Sequence, residues 1–554
     1  MKNSTAILVL MLLSLFVRAQ DLAKISQVNR YFIYFTDKAS ETYPFSIDKP
    51  DTFLTQRAID RRTKQGITIS IEDLPVDPSY VQGLKDAGVD VYFTSKWLNG
   101  ALANVDTTLL DDINAFSFVD SIAWIADTTR LSRNKETVET PTTFTDPPSV
   151  NGNSDIQLAM LGADHMHADN IKGKGIRIAV LDNGFTGVNK FTPFQHLWDE
   201  NRIIATKDFV QNSGNVFQSG AHGTSVFSII SSNYESENDN LVGIAPEAEF
   251  ILCITEDDAG ENTVEEYNWL LGAEFADSLG VDIINASLGY NTFDIEAHDY
   301  SKEDLDGQTS IVSKAASIAA SKGIIVVTSA GNSGRRSSPG NLISHPADAL
   351  NILSVGSVTP TFERSDFSSV GPTIDGRIKP DVSAFGDGTA LVRGSGRIER
   401  GGGTSFASPL IAGFAAGIWQ ANPSWTSQQV MDAIKISGHR AYAPNNFIGH
   451  GVPTYGYAVD GKALNIQDII EDKVTVYPNP FRGDTLHLLT EGIFKKGMNI
   501  KIMDPKGSLI FEKSYKRKHI KEQMELTIDS SEQGVYFLFL QIGNDQKIVK
   551  LINF

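Results

Sequence analysis

Five short runs of this chain, IRIAVLD, FILCIT, VDIINAS, GIIVVTSAG and NILSVGS, are apolar at nearly every position instead of at every second one. A strand with one face in water alternates, so runs like these belong to strands covered on both faces. Between them lie longer stretches whose apolar residues are spaced as in helices, such as TVEEYNWLLGAEFADSLG and TSIVSKAASIAASKG. Strand then helix, repeated, predicts an α/β domain over residues 154–458, with a central parallel sheet and helices on both of its faces.

The remaining sequence reads differently on either side. At 554 residues, length alone suggests about three or four domains. Residues 21–128 mix strand-like RYFIYFTDK and VDVYFTSKWLNGALANV with helically spaced TFLTQRAIDRRTKQG and LLDDINAF, which predicts a small α+β unit. Residues 129–153 are polar, proline-bearing and without apolar period, as in an exposed and cleavable linker. After a second connection at 459–472, residues 473–554 are all strand and turn and predict a small all-β sandwich. That last segment holds 13 Lys and Arg against 9 Asp and Glu, although the whole chain carries a formal charge of −19.

The first 19 residues have Lys2, an apolar run from Ile7 to Val17 and a small residue at Ala19. The run is too short to span a bilayer and reads as a cleaved signal peptide. The strong negative charge argues against nucleic acid and anionic membrane surfaces as partners. Cys253 is the only cysteine, so no disulfide forms within the chain; inside FILCIT it reads as a small core residue.

In an open parallel sheet, reactive groups collect where strands end and helices begin. Asp182 ends IRIAVLD before an Asn-Gly turn, and His222 lies among glycines in SGAHGTSVFSIISS. Asn332 follows the strand of IIVVTSAGNSG, and Ser405 starts the helix of GGGTSFASPLIAGFAAGIWQ. Together they supply a nucleophile, a base, a carboxylate that fixes the base's tautomer, and an amide donor for an oxyanion. Their order along the chain, Asp, His, Asn, Ser, is one of the known triad orders. Pro409 removes the N–H that would bond the Ser405 carbonyl, so the first turn around Ser405 is expected to be loosened. Glycines 401–403 are expected to let backbone and substrate come close to the nucleophile.

VLDNGF, AHGTSV, NASLGY, VTSAGNSG and GGTSFASP resemble, in that order, the Asp, His, pocket, oxyanion and Ser motifs of the subtilisin-like serine proteases. The resemblance implies a serine endopeptidase with Asp182, His222 and Ser405 as triad and Asn332 as oxyanion donor. It also implies that Ser287, Leu288 and Gly289 pair with an extended substrate. Ser329, Ala330 and Gly331 would wall the specificity pocket, with Ser344 near its base, and the expected preference is for apolar or medium side chains. No cofactor is implied for the chemistry. The insertion YNTFDIEAHDYSKEDLDGQTS offers Asp299, Asp304 and Asp306 as oxygen ligands for structural calcium, and a plain acidic loop as the alternative. Ser225 stands where a second histidine is common, and Phe406 where methionine is frequent. His165 and His167 have no third ligand nearby and read as surface residues.

Residues 21–128 take the place of the family's prodomain, a folding aid and inhibitor, which makes the protein a zymogen. VYPNPF, MDPKG, GVYFLFL and KIVKLI resemble the C-terminal sorting domain of type IX secretion cargo. That likeness implies outer-membrane secretion machinery as a partner and a secreted or cell-surface location. The rival reading is a catalytically silent subtilase-fold protein serving as an exported binding module. An esterase of the G-x-S-x-G type is disfavoured, since Ser405 is followed by Phe406 and Ala407.

Overall fold

The computed structural model describes residues 27–38, 42–127, 144–145, 153–236, 239–461, 474–477, 485–490, 497–504, 508–516, 518, 523–528, 534–542 and 545–553. The expected signal peptide at 1–19, nearly all of the expected linker at 129–153, and most of the second connection at 459–472 lie outside the described residues, as do parts of VYPNPF and MDPKG.

The N-terminal unit is a four-stranded antiparallel sheet of β1 (Val28–Phe35), β2 (Asp90–Ser95), β3 (Gly100–Asp106) and β4 (Val119–Asp127), in the order β2-β3-β1-β4. Helices α1 (Gln56–Gln65) and α2 (Pro78–Asp86) precede β2. α1 is capped by the Thr55 hydroxyl and stopped by Gly66 in the left-handed region. β1 is buried on both faces, contrary to simple alternation. Tyr31, Ile33 and Phe35 enter the unit's own core with Val76 and Leu84. Phe32 turns the other way, into a core shared with the large domain.

The large domain is built on seven strands, all parallel: β5 (Arg177–Asp182), β6 (Ile203–Asp208), β7 (Glu249–Ile254), β8 (Ile283–Ala286), β9 (Ile325–Ser329), β10 (Leu353–Val358) and β11 (Val382–Phe385). Their order is β11-β10-β9-β8-β5-β7-β6. Chain order reverses about β5, so the crevice at its carboxyl end is where a ligand site is expected. The helices that matter for the site are α3 (His222–Ser231), α4 (Val264–Ser278), α5 (Ile311–Ser321) and α6 (Thr404–Ala421). Ile178 and Val180 of β5 face the core of α3 and α6, whereas Ala179 and Leu181 face that of α4 and α5. Both faces are thus covered, as the unalternating runs require. Cys253 is buried in the second of these cores.

Near the C-terminus, a three-stranded and a four-stranded antiparallel sheet enclose one core containing Leu486, Leu488, Ile500, Ile502, Leu526, Leu538 and Leu540. This is the expected sandwich.

The small N-terminal unit docks on α4 through charge as well as apolar area. Arg61 and Arg62, both buried, face Asp277 at 2.5 and 2.9 Å, and Lys96 reaches the same carboxylate at 3.0 Å. Glu274, one turn earlier, accepts the backbone N–H groups of Lys96 (3.0 Å) and Trp97 (3.1 Å). Burial by itself would raise the Asp277 pKa, but Lys96, Arg61 and Arg62 hold it far below the usual carboxylate range. Helical spacing in TFLTQRAIDRRTKQG does not disclose that arginines form part of the buried face of α1.

Candidate active site

Asp182 is the last residue of β5 and is fully buried. Its Oδ1 accepts from the Asn183 N–H (2.9 Å) and lies 2.8 Å from His222 Nδ1. An ionised carboxylate only accepts, so Nδ1 carries the proton and Nε2 is left free to act as a base. His222 is fixed from behind as well. It begins α3, and the Asn183 side-chain oxygen accepts from the N–H groups of His222 (3.1 Å) and Gly223 (3.3 Å). The Asn of the expected turn therefore caps the histidine's helix while its neighbour holds the ring.

Burial pulls the His222 pKa down, but the charge and hydrogen bond of Asp182 outweigh it, and the net shift is upward. Arg393 opposes this shift and Asp258 adds to it. Phe406 lies with its ring 5.8 Å from the imidazole, and the Arg393 guanidinium sits over that ring at 5.6 Å. An added Cβ at Gly401 would fall 2.7 Å from the Phe406 ring, which explains that glycine; at Gly402 the nearest atom is 3.9 Å away, and close approach does not explain it.

α6 runs from Thr404 to Ala421 straight through Pro409. The Ser405 carbonyl that Pro409 leaves without a helical donor accepts instead from the Ser287 hydroxyl at 2.8 Å. Ser405 Oγ in turn donates to the Ser287 carbonyl at 3.1 Å. Ser287 follows β8, so the proline lets the nucleophile's turn be tied to the neighbouring edge of the sheet. Ser408 Oγ to Asn285 (2.9 Å) and Asn285 to Ser287 Oγ (3.2 Å) extend the tie. Asn332 is also held from one side: its Oδ1 accepts from Thr404 N (2.9 Å) and Thr404 Oγ1 (3.0 Å), which leaves its Nδ2 donors uncommitted among the described residues. Neither the Ser287 nor the Thr404 role is visible as a motif; both hydroxyls merely stand beside one.

A cavity of about 260 Å³ opens beside Ser405 and Asn332. Ser287, Leu288, Gly289, Ser329, Gly331 and Ser344 line it; Ala330 is fully buried and does not. An added Cβ at Gly289 would lie 2.2 Å from Ser344 Oγ, so only glycine lets the edge approach the cavity base. Ser344 Oγ is buried without a partner among the described residues, and Asn291, Thr292, Ser333, Arg336 and Glu261 complete the wall. The lining is richer in polar groups than the expected apolar preference implies.

The other sequence candidates do not gather into a site. Asp299 accepts from Phe293 N, Asp304 from Ser301 N, and Asp306 from Gln308 and Thr309 N, all at 2.7 Å. These carboxylates cap their own turns and do not fit a calcium ion; no group of three or more His, Cys, Asp or Glu among the described residues is placed to hold a metal. His165 is exposed, whereas His167 is half-buried and bonds the Ile244 carbonyl at 2.9 Å, so the surface reading fits the first only.

The model of the Subtilase family matches residues 173–451, half of the chain. The chain belongs to the subtilase family. A model of the peptidase S8 propeptide domain of Bacteroidota matches residues 30–141, and one of the secretion system C-terminal sorting domain matches 475–553. Subtilisin NAT of Bacillus subtilis subsp. natto is 29% identical over 295 residues, 52% of this chain and 67% of that protein. The major intracellular serine protease of Bacillus subtilis is 30% identical over 266 residues, 47% of this chain and 73% of the relative. Among solved structures, MycP1 from Mycobacterium smegmatis aligns with a TM-score of 0.44 at 21% identity, covering 59% of this chain and 89% of that one. This subtilase is a serine-type endopeptidase preceded by a propeptide, of a family whose catalysis needs no cofactor.

Proposed function

We propose that the protein is an exported zymogen that hydrolyses peptide bonds with Ser405 as nucleophile, His222 as base and Asp182 as the carboxylate that orients it. The observation that carries this reading is the 2.8 Å contact of His222 Nδ1 with buried Asp182, at the sheet edge where α6 presents Ser405. A peptide laid along Ser287–Gly289 brings its carbonyl to Ser405. Rotation of Oγ away from the Ser287 carbonyl then hands its proton to His222 Nε2 as the C–O bond forms. The oxyanion is bonded by Asn332 Nδ2 and the Ser405 N–H at the helix start, and His222 returns the proton to the leaving amine. Water repeats the sequence on the acyl-enzyme.

In this reading residues 1–19 are the signal peptide, 21–128 the inhibitory prodomain, 129–153 the processing region, 154–458 the protease, 459–472 a linker and 473–554 the sorting domain. The protein ends secreted or on the cell surface. A silent binding protein gains no support, because nothing in binding alone requires a carboxylate buried against an imidazole. The test is active-site labelling. A fluorophosphonate should attach to the wild type and not to Ser405→Ala, and only the former should digest casein; equal labelling of both overturns the assignment.

Two further results are expected. Only neutral His222 accepts the serine proton, and its pKa is raised, so kcat/KM should fall on acidification with an inflection above the ordinary imidazole value of about 6.5. Asp258→Asn should move the inflection down; a pH–rate profile unchanged by that substitution contradicts the electrostatics. Asn332→Ala should lower kcat by about 10²- to 10³-fold with little change in KM, because its bond is made chiefly to the oxyanion. A change confined to KM excludes that role.

A further inference from the structure

We infer that the cavity beside His222 is a subsite for a lysine or arginine side chain, supplied by the substrate residue second before the scissile bond. The inference rests on the functional reading above. An extended peptide turns successive side chains to opposite faces. With the residue before the scissile bond in the cavity beside Ser405, the side chain of the preceding residue projects the other way, toward His222. A cavity of about 390 Å³ lies there and shares Leu288 and Glu261 with the first.

Its wall is carboxylate: Asp257, Asp258, Glu261 and Asp294 line it together with His222 and Leu288, and among the described residues no lysine or arginine does. The acids are set in place. Asn183 Nδ2 bonds Asp258 at 2.8 Å, Ala259 N bonds Asp257 at 3.1 Å, and Asp294 N bonds the Glu261 carbonyl at 2.9 Å. Behind them, fully buried Asp182 also lines the cavity, and its Oδ2 has no hydrogen-bond partner among the described residues. Burial and the neighbouring Asp294 together raise the Glu261 pKa, a cost that a cation between them removes. The acids are strung along the wall and do not converge as ligands of an ion. That spacing suits a long monovalent side chain with an apolar stem, which Leu288 can cover.

A second observation points to the same ligand chemistry. The Ile125 carbonyl of β4 accepts from Thr263 Oγ1 at 2.7 Å, two residues from Glu261, so the end of β4 lies at the rim of this cavity. The sequence that follows, TTRLSRNK at 128–135, carries Arg130, Arg133 and Lys135 and no acid. The chain's own first candidate occupant matches the wall in charge.

Three fluorogenic peptides differing only at that position, Arg-Leu, Gln-Leu and Glu-Leu before the reporter, test the proposal on enzyme counted by fluorophosphonate titration. Two or three partly exposed pairs amount to about a tenfold higher kcat/KM for Arg than for Gln, with Glu lowest. Added salt should compress the ratio. In the Asp257→Asn/Glu261→Gln variant the Arg-to-Gln ratio should approach one; Asp258 is left intact because its charge also acts on His222. Titratable enzyme with equal rates on the three peptides, or a ratio unchanged in the variant, overturns the subsite alone. Wild-type protein that takes no label overturns the functional reading and the subsite with it.

Discussion

Ser405→Ala should lower kcat on a peptide by about 10⁶-fold, and Asp182→Asn by about 10⁴-fold, with folding intact in both. The serine substitution removes the atom that forms the acyl bond, and the turnover left comes from the oxyanion donors and binding. Asp182→Asn works through geometry. Its amide can offer an N–H where Oδ1 now accepts from His222 Nδ1 at 2.8 Å, which favours the tautomer with the proton on Nε2, facing the serine. The base is then occupied. Since both substitutions disable one proton transfer, the double variant should be no slower than Ser405→Ala alone. Single-turnover assays on variants matched by circular dichroism measure this. A double variant slower by the product of the single effects means that Asp182 and Ser405 act in separate steps.

How much of this was legible in the sequence depended on whether a residue's partner lay nearby in the pattern. Unalternating apolar runs disclosed the covered parallel sheet, because burial on both faces leaves its mark residue by residue. The positions of Asp182 and Asn332 were legible because they follow apolar strand runs, and those of His222 and Ser405 because they open helices. What was hidden depended on contacts distant in the chain. Pro409 could be read as freeing the Ser405 carbonyl, but not that Ser287, 118 positions earlier, would bond it. The loop TEDDAGE carries no motif of its own; only the sheet order, with β7 beside β5, brings Asp257 and Asp258 to the edge where Asp182 ends. Asp299, Asp304 and Asp306 show the reverse: plausible ligands by composition, spent locally on turn N–H groups.

The largest effect outside the cleft is expected at Asp277. Asp277→Asn should weaken the propeptide's hold on the protease by a factor of about 10² to 4 × 10³, since removing one partner of a buried ion pair costs about 3–5 kcal/mol. Asparagine keeps the size of the side chain but leaves Arg61, Arg62 and Lys96 facing each other with their shared anion gone. Arg62 retains Asp73 at 2.9 Å, so Arg61 and Lys96 bear most of the loss. Once the propeptide has departed, position 277 lies on the newly uncovered face of α4 and its charge is solvated. The unfolding free energy of the mature variant should therefore match the wild type within about 0.5 kcal/mol. The pKa sign gives an independent check. Asp277 is depressed in the docked state, so its contribution is present above the ordinary carboxylate pKa near 3.8 and is lost only as pH falls below that value toward the depressed one. Wild-type docking should persist through mildly acidic pH on this account, and the variant should lose that acid-sensitive component. Titrating separately produced propeptide against each mature enzyme measures both; equal affinities would mean that the apolar contacts of Phe32, Trp97 and Ile125 hold the unit in place and the charges merely break even.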